Sequence, residues 1–361
     1  MRVRTMGPDA MRKLKVVCLQ VARALGLFRL ARRMTGRGVR ILGYHGAWMG
    51  DPRFPGDCMF ILPETFAHRL DRVRALGYPI ISLERATSAL RRGESLPACA
   101  TVITIDDGWY GTYVHMVPTL EARGVPATLY CNTAQLLAGE PIWHVMANYL
   151  HATVGRPPLD PDQQALFARS TDLRGEPAQR EEATRAFGRT LGLDVDSLVQ
   201  SRAFGYMTPR ELRQMADRGV VDVQLHTHTH SLHDMSRDAV GKELAMNSET
   251  LTAVLGGSPK RFRHFCYPSG VTSDSAAAAL DALGIAGATT CDPGLSYPGD
   301  DLQRMARFLD GDNVHAVELE AELSGFMHLV RTRGSGWRAR RRVTVSAATA
   351  TETLPSRQRA A

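Results

Sequence analysis

Two adjacent carboxylates follow a β-branched, apolar run, and they are the first residues of the chain with an evident capacity for chemistry. Asp106 and Asp107 come directly after residues 101–105, Thr-Val-Ile-Thr-Ile, and precede Gly108. A buried strand that ends at a site has this pattern. Because side chains alternate along a strand, both carboxylates serve one site only if the chain bends there, which Gly108 permits. One carboxylate can then hold a metal while the other accepts a proton, although a plain Asp-Asp-Gly turn fits the same residues.

Three histidines at alternate positions form a second candidate group. His226, His228 and His230 follow residues 220–225, an apolar run typical of a strand. In a loop or a nascent helix, His226 and His230 lie one turn apart and His228 points away. Two imidazoles at this spacing are half of a zinc site, which either aspartate would complete. A solvated His-rich turn is the alternative, but barrel active sites assemble at the carboxyl ends of strands, and both groups follow strands.

Strands and helices alternate along most of the chain, which is the signature of parallel βα units. We expect strands, with helices between them, at residues 39–45, 79–83, 101–105, 127–131, 220–225, 262–267 and 285–290. Prolines among charge-rich helical runs interrupt this rhythm from about 150 to 205 and indicate a helical insertion. A chain of 361 residues accommodates one α/β barrel of roughly 250 residues with additional ends.

Charge is divided unevenly along the chain. Residues 1–40 carry a net charge of +10 and residues 331–361 carry +7, so the body between them carries −10. An acidic body is unlike a nucleic-acid-binding domain, so no nucleic-acid partner is expected, whereas the basic ends suit an anionic surface. We expect residues 1–37 to be a basic amphipathic segment with a helix over residues 11–34. The pattern fits two alternatives equally: this helix lies on a membrane surface, or it packs on the outside of the barrel. Residues 331–361 lack apolar periodicity and are expected to be a disordered basic tail.

The cysteines and the apolar runs bear on the compartment. The six cysteines are widely spaced without a Cys-x-x-Cys pair, which argues against a disulfide framework and favours a reducing compartment. No apolar run approaches the roughly 20 residues of a membrane span. The best signal-peptide candidate, residues 16–30, is interrupted by Arg23 and Arg29 and has no clear cleavage site. We therefore expect a cytoplasmic protein that contacts the inner face of the membrane peripherally.

Three segments resemble the motifs of the polysaccharide deacetylase family, also called the NodB-homology family or carbohydrate esterase family 4. Residues 104–108, Thr-Ile-Asp-Asp-Gly, resemble its first motif, usually Thr-Phe-Asp-Asp-Gly, and residues 226–230, His-Thr-His-Thr-His, resemble its second, His-Ser/Thr-x-x-His. Residues 263–270 resemble the third motif in its Phe-Ala-Tyr-Pro-Tyr-Gly form. The similarity covers about residues 38–310 in the family's order, and we expect the whole domain to occupy residues 38–330.

The resemblance implies a distorted (β/α) barrel of about seven strands and one divalent metal ion, expected to be zinc, held by Asp107, His226 and His230. It also implies Asp106 as general base and the backbone N–H of Ser269 as an oxyanion donor. The expected activity is removal of N-acetyl groups from a glycan or lipid-linked sugar in bacterial exopolysaccharide or lipopolysaccharide assembly. The alternatives are another amide hydrolase of this fold, such as a sugar-lipid deformylase, and a catalytically silent glycan-binding or scaffold protein.

The sequence departs from the family's pattern in two places. The third motif often carries an Arg that pairs with the base, but Cys266 occupies that place here and Arg263 lies too early to align. No late Leu-x-His motif, the usual source of the general acid, is evident. His45 and His315 are the candidates for the acid, and barrel geometry favours His45, with a packing role as the alternative. A third possibility is that Asp106 alone shuttles the proton. Asp106 would thus lack its usual partner, so another residue or the metal must tune its pKa.

Overall fold

The core of the chain is a curled sheet of seven parallel strands. The structure, a computed structural model, describes residues 8–50, 53–54, 59–172, 175–232 and 236–335. Its strands are β1 (Arg40–Tyr44), β2 (Gly46–Ala47), β3 (Phe60–Ile61), β4 (Thr101–Asp107), β5 (Ala127–Cys131), β6 (Val221–Leu225), β7 (His264–Cys266), β8 (Gly287–Thr289) and β9 (Phe308–Leu309). The main sheet has the order β8-β7-β6-β5-β4-β1-β9, and β2 pairs separately with β3. All strand pairs run parallel, so the carboxyl ends of the seven strands share one edge.

Helices connect and cover these strands. They are α1 (Pro8–Ala24), α2 (Leu27–Met34), α3 (Pro63–Ala75), α4 (Leu83–Arg92), α5 (Val117–Arg123), α6 (Thr133–Ala138), α7 (Trp143–Thr153), α8 (Pro161–Thr171), α9 (Pro177–Thr190), α10 (Val195–Gln200), α11 (Pro209–Asp217), α12 (Arg237–Leu255), α13 (Asp274–Ala282), α14 (Ala316–Leu323) and α15 (Phe326–Ser335). Helices α8, α9 and α10 lie in the segment predicted as a helical insertion. Together with α7 they enclose a second, largely aromatic cluster that includes Trp109 at the end of β4.

Alternation along the strands separates two surfaces of the sheet. Ile103 and Ile105 of β4 pack in the large cluster beneath the surrounding helices. Val102 instead joins a smaller cluster with Ile41 and Tyr130 on the opposite surface of the sheet. Because side chains alternate, Asp106 lies on this second surface, inside the curl. All seven residues of β4 are buried, as a central strand covered on both faces requires.

A segment late in the chain closes the curl. Met305 forms a parallel bridge with Thr289 of β8, and three residues further on, β9 pairs with β1, where Phe308 is in register with Leu42. The segment therefore contacts β8, at one edge of the sheet, and adds β9 beside β1 at the other. Of the two residues between these contacts, Arg307 is fully buried. No strand was predicted here because a two-residue strand has no recognisable apolar pattern.

Three boundary predictions were wrong. The single helix expected over residues 11–34 is two helices, since Gly26 between them has a φ of +77°, which ends a helix. Residues 79–83 form no strand: Ile80 makes one isolated bridge to Thr101, and α4 begins at Leu83. The disordered tail was expected from residue 331, but residues 331–335 belong to α15. The rest of that prediction, residues 336–361, lies outside the described residues.

Two further features concern the helices and the cysteines of the described residues. No helix among them is long and apolar enough to cross a membrane. Their cysteines are free thiols, namely Cys18, Cys99, Cys131, Cys266 and Cys291.

Candidate active site

A bend at the end of β4 brings both aspartates to the mouth of the barrel. Asp107 has a φ of +75° and Gly108 a φ of +110°. The bend therefore begins one residue earlier than the sequence predicts, at Asp107 itself. A left-handed conformation at a non-glycine residue costs about 1 kcal/mol or more, and three other residues of the site, Thr227, His230 and Ser269, also adopt it. Backbone strain is thus concentrated where the predicted catalytic residues meet.

The three predicted metal ligands converge. Oδ1 of Asp107 lies 3.3 Å from Nε2 of His226 and 3.2 Å from Nε2 of His230. One ligand atom from each residue falls within 4.8 Å of the other two. Asp107 and His226 are buried, whereas about a third of the His230 side chain is exposed, so the cluster is open on one side.

Hydrogen bonds orient these ligands. The indole Nε1–H of Trp109 donates to Oδ2 of Asp107 at 2.8 Å, which leaves Oδ1 for the histidines. Nδ1 of His226 lies 2.8 Å from the carbonyl oxygen of Cys266, and because a carbonyl only accepts, His226 carries its proton on Nδ1. Its Nε2 lone pair is therefore available to a metal, in the arrangement that metal-binding histidines favour. Sequence reasoning did not assign Trp109 this role.

The loop from residue 226 to 230 is fixed by helix α12. Glu243 accepts hydrogen bonds from the backbone N–H groups of His228 and Thr229, both at 2.9 Å. Asn247 accepts from the N–H of His226 at 3.0 Å. The ring of His228 turns away from the cluster, and its Nδ1 lies 2.8 Å from Oγ1 of Thr133. His228 is thus outside the ligand set, as the loop geometry predicts.

The cluster fits a metal ion on its own chemistry. Oδ1 of Asp107 is buried without a hydrogen-bond donor, a costly state that a bound cation would relieve. Two imidazoles and a carboxylate with an open side are a typical donor set for catalytic zinc. A second trio of candidate ligands, Asp106, His226 and Cys266, is less suitable, since the cationic guanidinium of Arg307 already holds Asp106.

Electrostatics keep both aspartates ionised. Burial alone would raise the pKa of Asp107, but the neighbouring imidazoles of His230 and His226 hold that pKa well below its usual value. Burial likewise opposes ionisation of Asp106, and the adjacent Arg307 outweighs it, so that the pKa of Asp106 is also lowered. An ionised carboxylate that is not a metal ligand is suited to accept a proton.

Arg307 is the partner of Asp106 that the sequence seemed to lack. Its Nη1 and Nη2 donate to Oδ1 and Oδ2 of Asp106 at 2.6 and 2.7 Å, and neither side chain is more than 3% exposed. Nη2 also lies 3.1 Å from the sulfur of Cys266, the residue that occupies the expected position of the arginine. The sequence left two sources open for tuning the pKa of Asp106, another residue or the metal, and the structure shows such a residue in Arg307. Sequence reasoning missed Arg307 because it belongs to the closing segment beside β9.

The remaining predicted residues lie around the mouth in different settings. Nε2 of His45 is 3.9 Å from Oδ2 of Asp106, and the side chain is partly exposed. Ser269 is exposed, and none of the hydrogen bonds of the described residues uses its backbone N–H. His315 instead caps α14, where its Nδ1 accepts from the N–H of Val317 at 3.2 Å. The structure thus brings His45, but not His315, to Asp106; the acid role of His45 and the oxyanion role of Ser269 stay predictions.

The chain belongs to the polysaccharide deacetylase family, because the sequence profile of that family matches residues 94–288. The matched range includes Asp106, Asp107, His226, His230 and Ser269, and it excludes His45 and Arg307. No curated protein sequence matches the chain significantly.

Solved deacetylase structures share the fold. IcaB from Ammonifex degensii is 19% identical over 80% of this chain and 98% of its own, with a TM-score of 0.53. Deacetylase PplD from Streptococcus pyogenes is 18% identical over 79% of this chain and 98% of its own, with a TM-score of 0.54. A de-N-acetylase from Aggregatibacter actinomycetemcomitans is 16% identical over 79% and 99%, with a TM-score of 0.53. At these identities the likeness concerns the fold alone, and it confirms the predicted distorted barrel.

Proposed function

We propose that the chain is a metal-dependent hydrolase that removes N-acetyl groups from a glycan or lipid-linked sugar. One observation carries the proposal: a buried carboxylate oxygen of Asp107 without a donor faces two histidine Nε2 atoms, beside a second carboxylate that is ionised and not a ligand. This arrangement separates metal binding from proton transfer. Family membership gives the substrate class, a glycan.

Each residue of the site has a proposed task. Asp107, His226 and His230 would hold the ion, with zinc suited to this donor set; when bound, the ion supplies Lewis-acid polarisation of the amide carbonyl and acidifies water. Asp106 accepts a proton from the attacking water, and Arg307 keeps that carboxylate ionised and oriented.

The later proton and charge movements fall to two residues at the rim. The unused N–H of Ser269 donates a hydrogen bond to the developing oxyanion. His45, adjacent to Asp106, delivers a proton to the departing amine, and the products are a free amino sugar and acetate.

We further propose that the sugar is lipid-linked and that the enzyme acts at the cytoplasmic face of the membrane in exopolysaccharide or lipopolysaccharide assembly. The free thiols are compatible with a reducing compartment. The basic N-terminal segment would supply peripheral contact with an anionic surface.

Acetate release tests the activity. The full chain, stripped of metal and reloaded with zinc, is incubated with a panel of lipid-linked and polymeric N-acetylhexosamines. We expect the wild type to release acetate, and Asp106→Asn to keep its zinc while losing roughly 10²- to 10⁴-fold in rate. Release of formate from formylated sugars instead would identify a different amide hydrolase. If the wild type released no acetate from any sugar of the panel, and if Asp106→Asn bound one of these sugars as tightly as the wild type does, the chain would be a catalytically silent glycan-binding protein.

Metal content tests the ligand set separately. His230→Ala should lose bound zinc on dialysis, because it removes one of three ligands. His228→Ala is the matched control from the same loop, and it should keep zinc and activity because its ring faces Thr133. Full zinc content in His230→Ala would contradict the ligand assignment.

A further inference from the structure

The exposed apolar side chains of the protein are concentrated at its N-terminus. Of the thirteen exposed large apolar residues among those described, eight lie in α1, α2 and the short link between them. These eight residues, which we term the N-terminal apolar face, are Met11, Leu14, Val17, Val21, Leu25, Leu27, Leu30 and Met34. Soluble surfaces normally scatter such residues singly, and a continuous patch marks an interaction site.

The N-terminal apolar face is distinct from the face that α1 uses to pack on the barrel. Leu19 and Ala22 are buried against Val317 and Ala321 of α14. The exposed residues recur at intervals of three and four, from Met11 through residues 14, 17, 21 and 25, which places them along one stripe on the other side of the helix. Burial against the barrel therefore accounts for one face of α1 and leaves the second without a partner among the described residues. The sequence left two alternatives open, packing on the barrel and contact with a membrane surface. Packing on the barrel uses one face of α1, so contact with a membrane concerns the opposite face.

The basic residues of this segment fall into two groups. Several bind the body of the protein: Lys15 pairs with Glu318 at 2.7 Å, and Arg23 with Glu320 at 3.2 Å. A second group is exposed and forms no ion pair within the described residues, namely Lys13, Arg29, Arg33 and Arg37. No acidic residue occurs between residues 10 and 50. The N-terminal apolar face is thus bordered by cations that form no ion pair within the part of the chain that the structure describes.

We propose that the N-terminal apolar face docks on the surface of an anionic lipid bilayer. An interfacial helix buries its apolar side among the acyl chains while its cations bind lipid phosphates, and α1 and α2 supply both parts. A second copy of the chain fits poorly, because pairing two such faces would bring Arg29 and Arg33 of both copies together without an acidic partner. The bilayer contact deepens the membrane contact that is part of the proposed function, and it does not depend on the proposed deacetylation.

The position of α1 links this surface to the catalytic mouth. Arg12 donates to the backbone carbonyl of Asn313, in the loop that follows β9. Since β9 is parallel to β1, that loop leaves the sheet at the same edge as Asp106 and Asp107. One end of the docking surface is therefore fixed at the edge of the barrel where the site opens. If the proposed deacetylation is correct, this arrangement favours a sugar carried on a membrane lipid.

Vesicle co-sedimentation of the full chain tests the proposal without any substrate. We expect binding to phosphatidylcholine vesicles that contain one-quarter phosphatidylglycerol and weak binding to phosphatidylcholine alone. Arg29→Gln with Arg33→Gln should weaken binding about 30-fold, since each cation near the surface contributes roughly fivefold. Leu14→Ser with Leu25→Ser should weaken it roughly tenfold or more through lost apolar burial.

Matched controls separate this surface from a general loss of charge or apolarity. Met246→Ser with Leu283→Ser alters exposed apolar residues elsewhere, and Arg210→Gln with Lys260→Gln alters exposed cations elsewhere. Both pairs should bind like wild type, and the thermal melting of every variant should match it, because all these side chains are exposed.

Three outcomes would overturn the proposal. The first is equal binding of the wild type to neutral and anionic vesicles, and the second is undiminished binding by both N-terminal variants. The third is a wild type that sediments as a dimer in sedimentation velocity while the variant with both Leu14→Ser and Leu25→Ser sediments as a monomer. The last would assign the face to a second copy. None of these measurements depends on acetate release, so a failure here leaves the deacetylase assignment intact.

Discussion

Replacing Arg307 by Met should destabilise the protein far more than the loss of an ordinary ion pair. Arg307 is fully buried, and the carboxylate that it holds is 3% exposed, with two hydrogen bonds of 2.6 and 2.7 Å between them. Methionine fills much of the same volume but leaves Asp106 as a buried, unpaired charge. Removing one partner of a buried ion pair lowers the free energy of unfolding by about 3–5 kcal/mol, mostly because the remaining charge stays buried without a counter-charge.

A double-mutant cycle isolates that cost. Asp106→Asn alone leaves the guanidinium of Arg307 buried without a counter-charge and should lower the free energy of unfolding by a similar amount. Arg307→Met combined with Asp106→Asn removes both charges and should lower it by only about 1–2 kcal/mol. The two single changes are therefore strongly non-additive, with a coupling energy of several kcal/mol.

Urea unfolding with a chelator present measures these free energies, because the chelator removes any contribution from bound metal. Arg304→Met is the matched control: its pair with Asp274 spans 2.7 Å, but the side chains are 31% and 58% exposed, so it should cost no more than about 1 kcal/mol. If Arg307→Met cost as little as this control, or if the two single changes were additive, the inferred dependence of Asp106 on Arg307 would be refuted.

Three further changes test individual contacts. Trp109→Phe removes the N–H that holds Asp107, so zinc titration should show affinity about 10- to 100-fold weaker. Trp48→Phe is the control, because the indole N–H of Trp48 has no partner within the described residues, and it should leave the zinc affinity unchanged. An equal loss of zinc affinity in both variants would show that aromatic packing, not the hydrogen bond, is responsible. Ser269→Gly keeps the backbone N–H at a φ of +54°, so kcat/KM for deacetylation should stay within about twofold of wild type, and a tenfold loss would assign the role to the hydroxyl. Burial raises the pKa of Asp310 from its ordinary value of 3.8 to about 6, so the folded state binds the carboxyl proton more tightly than the unfolded state does. The stability that this proton contributes therefore declines as the pH rises from 3.8 through 6. Relative to Asp310→Asn, wild type should lose about 2 kcal/mol of unfolding free energy between pH 4 and 7 in urea titrations, and parallel pH profiles would contradict this assignment.

Much of the barrel was predictable because its strands are long enough to show a pattern. β4 follows an apolar, β-branched run, and β1, β5 and β6 have similar runs bounded by turns. The short elements were not predictable. Residues 79–83 are apolar enough for a strand but make one bridge. β9 has only two residues, and it forms by pairing with β1, more than 260 positions earlier in the chain. Local pattern cannot supply information that arises only when distant segments meet.

The same division applies to the site. The sequence by itself determined the four residues of the centre, since Asp106 and Asp107 share one motif and His226 and His230 another, each at the end of a strand. Tertiary structure decided how they work together. It bends Asp107 into a left-handed conformation, places Trp109 on one oxygen of that carboxylate, and brings Arg307 to Asp106 from about 200 positions away in the chain. A motif is read from neighbours in sequence, but a buried charge is stabilised by neighbours in space, and only the closed barrel specifies which residues those are.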